Sequence, residues 1–413
     1  MSSINLLAIS NPSDYWRSGH ITIPWQPIYQ QIQIPPEELV LSDLRDRSRT
    51  PLLAQVDRVD PDDPTRDTLV FSLAHATPPG LEDSSTFSSF LRADRGKPIP
   101  EGLGEPYLEV VLGSDGRERG VRFVNSRLIV WFNLVSAPED NERSWYAGSA
   151  TSVQLEHQEL LDPLLAAKGE WMGQDPEKRC MQVDRLQLPG LEPRAPHYQV
   201  SLYNHSYRLV SRSNGPVRAS ITIASEPFDY IGSDPMTGNT CHFVCELYRV
   251  ISLYAGADYL SEELFVKGKP KAEKGESSDR AEAIYLNFAA HYFAHIHLGQ
   301  KADIYQPPHV PGWFAIGSSV MPHPGYGFAT NGHIDLVTYP HEGDENRCSW
   351  LLLPCQSVKC LHLFMRTQAE GVDSCTGRCW YELIYKPLKV EIYQQTAVPQ
   401  GVQDERLLTT PCA

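Results

Sequence analysis

Several features that mark familiar classes of protein are missing from this sequence. No window approaches the roughly 20 apolar residues that a membrane-spanning helix needs, and residues 1–9 have no basic segment of the kind that opens a secretory signal. There is no GxxxxGK[ST] phosphate loop, no strand-coupled GxGxxG, no GxSxG and no HExxH. These absences disfavour a P-loop enzyme, a serine hydrolase and a zincin. We expect no membrane partner and a cytoplasmic location.

Basic residues are also scarce compared with acidic ones. The chain has 36 Lys and Arg against 51 Asp and Glu, which gives a formal net charge of −15. A surface this acidic repels a phosphate backbone instead of neutralising it. Nucleic acid is therefore not an expected partner.

Nothing in the sequence specifies a metal ion or a cofactor. Nine cysteines are an odd number, which favours reduced thiols over a disulfide framework. The pairs Cys241/Cys245 and Cys375/Cys379 have CxxxC spacing, but residues i and i+4 of a strand lie roughly 13 Å apart, too far to share one ion. The acidic run over residues 57–67 contains prolines and lacks EF-hand spacing, as is typical of a plain turn. We predict no metal site and no cofactor.

What the sequence does contain is a long succession of strand signals. Runs rich in β-branched and aromatic residues are separated by turn residues, and 28 glycines and 33 prolines supply the turns. From residue 198 onward these runs reach about 10 to 15 residues, longer than the usual strand of ~5–6. Leucines near a helical period over residues 151–172 predict one short helical insertion. The fold class predicted is mainly β, with large antiparallel sheets.

An ordered series of segments resembles the C-terminal β-rich region of family 38 glycoside hydrolases, the α-mannosidases. The segments are residues 11–12, 21–25, 39–43, 51–57, 69–73, 78–80, 214–223, 246–266, 282–288, 312–319 and 327–338. Each is composed of ordinary strand and turn residues, so the resemblance rests on their order and spacing across most of the chain. The family's catalytic barrel precedes this region, and we expect the present chain to lack it. The family's zinc ligands and nucleophile therefore cannot be assigned to any residue here.

The resemblance implies a particular domain organisation and a carbohydrate context. A small β-barrel or β-sandwich module is expected over residues 1–100. A galactose-mutarotase-like supersandwich is expected over residues 101–395, with the helical insertion near 151–172, and a flexible tail over 396–413. A glycan or glycoside is the expected ligand.

Half of the histidines fall within one short stretch. Seven of the 14 lie within 51 residues, where even spacing would give about two; these are His291, His295, His297, His309, His323, His333 and His341. If residues 283–297 form one strand, alternation of side chains puts His291, His295 and His297 on one face. Imidazole can transfer protons near neutral pH and can hydrogen-bond sugar hydroxyls.

We therefore predict a sugar-binding cleft built around this stretch. The catalytic candidates are His291, His295 and His333, with Asp335 as the neighbouring carboxylate. Aromatic rings pack against the C–H faces of sugars, and the candidate substrate-binding residues are His297, Trp313, His323, Tyr326, Tyr339 and Arg347. The competing interpretation distributes these histidines over loops and satisfied core positions.

Two classes of function remain open at this point. The first is a carbohydrate-active enzyme, such as a glycoside hydrolase; a polysaccharide lyase with a Tyr or His base, or an epimerase, would use the same residue types. The second is a noncatalytic carbohydrate-binding or assembly subunit, which would work with a catalytic partner subunit or as a homo-oligomer. A histidine that converges with a carboxylate favours catalysis, whereas one that converges with aromatic rings alone favours binding.

Overall fold

The computed structural model describes sixteen stretches of the chain. They are residues 3–79, 89–97, 106–113, 115–135, 147–156, 158–159, 181–192, 195–202, 205–233, 238–271, 283–297, 303–306, 312–317, 325–339, 345–365 and 382–396. The chain divides into two compact units. The first comprises residues 1–103, 215–218 and 386–413, and the second comprises residues 104–214 and 219–385.

The described residues form 27 strands. The first six are β1 (Ser3–Ser10), β2 (Arg17–Pro24), β3 (Leu39–Asp43), β4 (Ala54–Asp57), β5 (Thr68–Thr77) and β6 (Ser89–Arg95). The next twenty are β7 (Tyr107–Leu112), β8 (Glu118–Val124), β9 (Leu128–Asn133), β10 (Ser149–Leu155), β11 (Gln158–Glu159), β12 (Met181–Glu192), β13 (Ala195–Ser201), β14 (Tyr207–Asn214), β15 (Arg218–Ser225), β16 (Phe228–Ser233), β17 (Thr240–Tyr254), β18 (Tyr259–Pro270), β19 (Ile284–Leu286), β20 (Phe288–His297), β21 (Asp303–Tyr305), β22 (Trp313–Gly317), β23 (Gly325–Thr330), β24 (Ile334–Tyr339), β25 (Glu345–Cys355) and β26 (Ser357–Met365). The last is β27 (Lys389–Thr396). An α-helix, α1 (Trp25–Ile32), and two 3-10 turns (Pro36–Glu38 and Pro64–Arg66) accompany them.

The first unit contains two small antiparallel sheets. One has the strand order β27, β1, β6, β3, and the other has the order β2, β5, β4. Helix α1 buries Trp25, Ile28 and Ile32, whose i, i+3, i+7 spacing forms one apolar stripe. That stripe packs into the same core as buried strand residues such as Leu7 and Phe71. Residues 389–395, which the sequence assigned to the supersandwich, pair with β1 in this unit.

The second unit is built from two ten-stranded sheets. In the first large sheet the order is β24, β25, β20, β12, β10, β9, β8, β7, with β11 on β10 and β13 on β12. In the second large sheet the order is β14, β15, β17, β18, β26, β23, β22, β21, with β16 on β17 and β19 on β18. Buried residues of both sheets, among them Leu186 of the first and Leu264 of the second, belong to one hydrophobic core. The predicted mainly β fold is confirmed.

The helix predicted over residues 151–172 begins as a strand instead. Residues 149–155 form β10, which pairs with β9, and residues 158–159 form β11. Val153 and Leu155 are both buried, so their alternation fits a sheet face and outweighs the helical leucine spacing. Residues 160–180 and the tail from residue 397 lie outside the described residues. None of the helices in the described part of the chain has the length and apolar character to cross a membrane.

Candidate functional site

The core of the second unit contains a chain of buried polar side chains, here called the buried polar network. Its members are Arg249, Glu262, Tyr326 and His362 of the second large sheet and Tyr292 of the first. The Glu262 carboxylate accepts from Arg249 Nε at 2.6 Å and from the Tyr292 hydroxyl at 2.7 Å. His362 Nε2 lies 2.9 Å from Glu262 Oε2, and His362 Nδ1 lies 2.8 Å from the Tyr326 hydroxyl. The two sheets are therefore joined by hydrogen bonds as well as by apolar packing.

The charges of this network follow from its burial. Desolvation acts to raise the pKa of Glu262, but Arg249, His362 and Tyr292 act in the opposite direction and together lower it to about 2. Desolvation acts to lower the pKa of Arg249, and the facing Glu262 carboxylate raises it above its usual value. Burial, followed by Glu262, holds the pKa of Tyr292 well above its ordinary range. At neutral pH the network thus holds a charged Arg–Glu pair beside a neutral phenol.

The buried polar network has too little space beside it to be a sugar site. The adjoining cavity, lined by Phe132 and Met181 of the first large sheet and by Arg249 and Glu262 of the second, measures about 10 Å³. A volume of this size holds about one water molecule. We therefore assign the network a structural role.

Acid is expected to remove the stability that Glu262 provides. Its pKa is about 2 in the folded protein against 4.5 for the free group. Because the pKa of Glu262 is lower in the folded than in the unfolded protein, its ionised carboxylate stabilises the fold fully at pH values above 4.5. That stabilisation is lost as the pH falls from 4.5 towards 2. The loss amounts to about 3 kcal/mol. Urea unfolding followed between pH 6 and pH 2.5 should show a steeper decline for the wild type than for Glu262→Gln; equal slopes would contradict this.

Gly148 is expected to tolerate no side chain. Its φ is +73°, and its carbonyl accepts a hydrogen bond from Arg249. A Cβ at this position would lie 2.4 Å from the ring of Tyr207. Gly148→Ala should lower the free energy of unfolding by about 3 kcal/mol, from backbone strain and overpacking together. Gly256→Ala is the matched control, because Gly256 has φ +65° but nothing within 4 Å, and it should lose only about 1 kcal/mol. Equal losses in a denaturant titration would refute the packing part of this account.

A different polar site lies on the opposite face of the first large sheet. Side chains alternate along β20, so while Tyr292 enters the core, its neighbour His291 faces the other way and its side chain is 23% exposed. Where β12 pairs with β20, Val183 is opposite Tyr292 and Arg185 is opposite His291. Asp184, between them, has no residue of its own opposite it and is the extra residue of a β-bulge. His291 Nδ1 lies 2.5 Å from Asp184 Oδ1. The Asp184 carbonyl also accepts from the Leu202 amide at 2.9 Å, which anchors the bulge.

The hydrogen bond to Asp184 orients the imidazole ring of His291. The Asp184 side chain is 4% exposed and holds one ring nitrogen, so the hydrogen bond assigns the proton to Nδ1 in the neutral ring. Among the described residues, the His291 ring has no hydrogen-bond partner other than Asp184. Nε2 is thus left to exchange a proton or a hydrogen bond with a ligand.

The strand register extends this site into a row across the sheet, here called the His291 row. Asp335 of β24 pairs with Leu351 of β25, Leu351 pairs with His291, and His291 pairs with Arg185, which pairs in turn with Ser201 of β13. Directly paired residues share one face of a sheet, at about 4.8 Å per strand. Asp335 is exposed and lies two strands, or about 10 Å, from His291. His333, also exposed, precedes it by two residues.

The other predicted residues fall into three groups. His295 pairs with Arg347, and Arg347 with Tyr339, in a neighbouring row, while His297 pairs with Glu345; the side chains of these residues lie outside the described part. His323 lies outside it altogether. Trp313 and Tyr326, predicted to bind sugar, are 2% and 1% exposed and belong to hydrophobic cores. Their strands are internal to the second large sheet. Because both rings are buried, neither can stack on a ligand at the surface.

Asp184 and Arg185 are the site residues that the sequence did not reveal. The only available signal was an acidic residue and a basic residue inside the otherwise alternating run MQVDRLQL. A bulge depends on which strand pairs alongside, so its presence could not be predicted from that run.

No cluster for a metal ion is found within the described residues, where no three His, Cys, Asp or Glu side chains are placed to share one. Cys241 and Cys245 both lie on β17, four residues apart along an extended strand. Burial raises the pKa of the Cys245 thiol to about 12, with Asp229 adding to the effect. A thiol of this kind stays protonated at neutral pH. Cys375 and Cys379 lie outside the described residues.

Comparison with known proteins gives structural likeness only. No family model matches the sequence, and no curated protein matches it. Similar solved structures include an α-mannosidase from Enterococcus faecalis V583, with TM-score 0.46 and 9% identity over 95% of this chain and 46% of that one. A glycosyl hydrolase family 38 protein from Enterococcus faecalis gives TM-score 0.48 and 9% identity over 95% and 47%. A 4-alpha-glucanotransferase from Thermococcus litoralis gives TM-score 0.35 and 9% identity over 64% and 40%. The chain spans about half the length of the first two, and likeness at this level carries no conclusion about activity.

Proposed function

We propose that this protein binds a glycan or glycoside along the His291 row and processes it by general acid–base chemistry at His291. The site would place a proton-transfer group near the centre of the row, with an exposed carboxylate, Asp335, beyond Leu351 on one side and an exposed hydroxyl residue, Ser201, beyond Arg185 on the other. Sugar hydroxyls are recognised by such groups through directional hydrogen bonds.

One observation carries this proposal: His291 converges with a carboxylate. A binding surface needs hydrogen-bond donors and aromatic faces, and it does not need a buried acid that fixes the tautomer of an imidazole. Asp184 is 4% exposed and lies 2.5 Å from His291 Nδ1. An arrangement of this kind orients the ring and stabilises the imidazolium that forms when Nε2 takes a proton. It therefore supports the enzymatic interpretation over the purely binding one.

In this proposal the residues of the row have separate roles. His291 acts as general acid or base, because Asp184 engages Nδ1 and the half-buried side chain keeps Nε2 for the ligand. Asp184 is a positioning residue, since it acts on the substrate only through His291. Asp335 is the candidate for the second proton-transfer group, because glycosidic bond cleavage needs both an acid and a base.

A panel of glycosides and oligosaccharides, followed at the same time by binding and by product formation, tests the proposal. We expect at least one member to bind and to be converted by the wild type. Binding without conversion would replace the enzyme by a noncatalytic carbohydrate-binding subunit. A product that carries a new carbon–carbon double bond in the sugar ring would indicate lyase chemistry. No binding at all would overturn the proposal.

His295 provides a test of how far the site extends along β20. His295 lies four residues after His291 on β20, and its backbone pairs with Arg347 of β25. Because alternate residues of a strand share one face, we propose that it contacts the same ligand. His295→Ala should leave the thermal unfolding temperature unchanged and weaken sugar binding or turnover; unchanged binding and turnover would restrict the site to the His291 row.

A further inference from the structure

We infer that the ligand carries an anionic group, a uronic acid carboxylate or a sulfate ester, and that Arg185 recognises it. This inference rests on the proposed function, because it concerns the ligand of the same site. It names a substrate class, anionic glycans, that the fold alone does not suggest.

The position of Arg185 is the first reason. The β-bulge sets both Asp184 and Arg185 against His291, so the guanidinium emerges beside the imidazole on the same side of the sheet. The Arg185 side chain is 42% exposed, whereas that of Asp184 is 4% exposed. The bulge thus buries the acid and leaves the adjacent cation accessible to a ligand held at His291.

The unused hydrogen-bonding capacity of Arg185 is the second reason. Within the described part of the chain, its guanidinium approaches one charged group, Asp184 Oδ2, at 3.8 Å. That separation is longer than a hydrogen bond. The five N–H donors of a guanidinium match the two oxygens of a carboxylate or a sulfate in a fork geometry. A cation of this kind beside a proton-transfer group is suited to an acidic sugar.

The charges along the row give the binding a direction. Asp335, at the β24 end, is exposed and about 10 Å from His291, and it repels an anion. Arg185, at the β12 end, attracts one. The acidic group of the ligand should therefore lie towards β12 and β13, and the neutral part towards β24 and β25. The chain as a whole carries a charge of −15, so an anionic glycan needs such a local cation to bind.

Matched pairs of ligands test this inference. Neutral glycosides of glucose, galactose and mannose would be compared with the corresponding uronides and with their sulfate esters, by calorimetry at low and at moderate ionic strength. At least one anionic member should bind more tightly than its neutral counterpart, and the preference should weaken as salt is added. The uronide and sulfate arms identify which anion is used.

Three variants complete the test. Arg185→Gln should reduce the affinity for the anionic ligand about tenfold, the scale of one charged hydrogen bond at an accessible site, and should reduce the affinity for its neutral counterpart by clearly less, so that the preference for the anion falls. Arg185→Lys should retain part of the preference. Arg212→Gln is the matched control, since Arg212 is an exposed arginine on β14 of the second large sheet, and it should change neither affinity.

The outcomes separate this inference from the proposed function. Neutral glycosides that bind as tightly as their anionic counterparts would overturn the role of Arg185 and leave the sugar site intact. So would an Arg185→Gln variant that keeps the full preference while remaining folded by circular dichroism. Absence of binding by every glycoside, neutral and anionic, would overturn both.

Discussion

Glu262→Gln is expected to destabilise the protein by about 3 to 5 kcal/mol, the scale seen when one member of a buried ion pair is removed. The Arg249 and Glu262 side chains are 3% and 2% exposed, and Arg249 Nε lies 2.6 Å from the carboxylate. The substitution leaves the Arg249 cation in the core without a counter-charge, and it also weakens the bonds from Tyr292 and His362. Urea denaturation at pH 7 measures the effect through the midpoint at constant m-value.

Two controls locate the origin of this loss. Glu246→Gln breaks the ion pair between Glu246 and Arg208, whose side chains are 25% and 54% exposed respectively. An exposed pair of this kind contributes at most about 1 kcal/mol to stability. The double substitution Arg249→Met with Glu262→Leu removes both charges, and it should be less damaging than Glu262→Gln alone. If Glu262→Gln and Glu246→Gln lost the same stability, burial would not be the source of the effect.

Substitutions in the His291–Asp184 pair are expected to have the largest effect on turnover. With the glycoside that the panel identifies, His291→Gln should lower kcat/KM by about 10² to 10⁴-fold, the usual contribution of a general acid or base. Asp184→Asn should lower it by about 10²-fold or more, because an amide can hold the His291 ring in the wrong tautomer. The loss should fall mainly on kcat if the pair acts on the transition state.

The pair should also behave as one unit. The double variant should be no worse than His291→Gln alone, because Asp184 acts only through the ring. Asp184→Asn should displace the pH profile of kcat/KM, a readout that a merely structural role would leave unchanged. Asp229→Asn is the control, since Asp229 is a 71% exposed, ion-paired carboxylate of β16, and it should alter neither. Additive losses in the double variant would mean that Asp184 and His291 act separately.

The prediction from sequence worked where local pattern and tertiary packing agree. Long β-branched and aromatic runs predicted strands, and β17 and β18 are strands of 15 and 12 residues. Residues 151–172 show the opposite case, since leucine spacing suggested a helix while pairing with β9 made Ser149–Leu155 a strand. Periodicity reports which faces are apolar, but the partner strand decides which backbone conformation buries them.

The site shows the same division. Alternation along β20 was enough to place His291 on one face, and the sequence alone gave the histidine-rich stretch, the mainly β composition and the acidic net charge. The sequence also suggested Trp313 and Tyr326 as sugar-binding residues, because an aromatic residue reads the same in a sequence whether its side chain is exposed or buried. Only the tertiary structure buried those rings in the core. It also joined Arg249, Glu262 and Tyr292 by hydrogen bonds between two sheets. It brought Asp184 against His291, which is 107 residues away in the chain. Contacts between strands distant in the chain depend on register and bulges, which the pairing of whole sheets determines and no local pattern records.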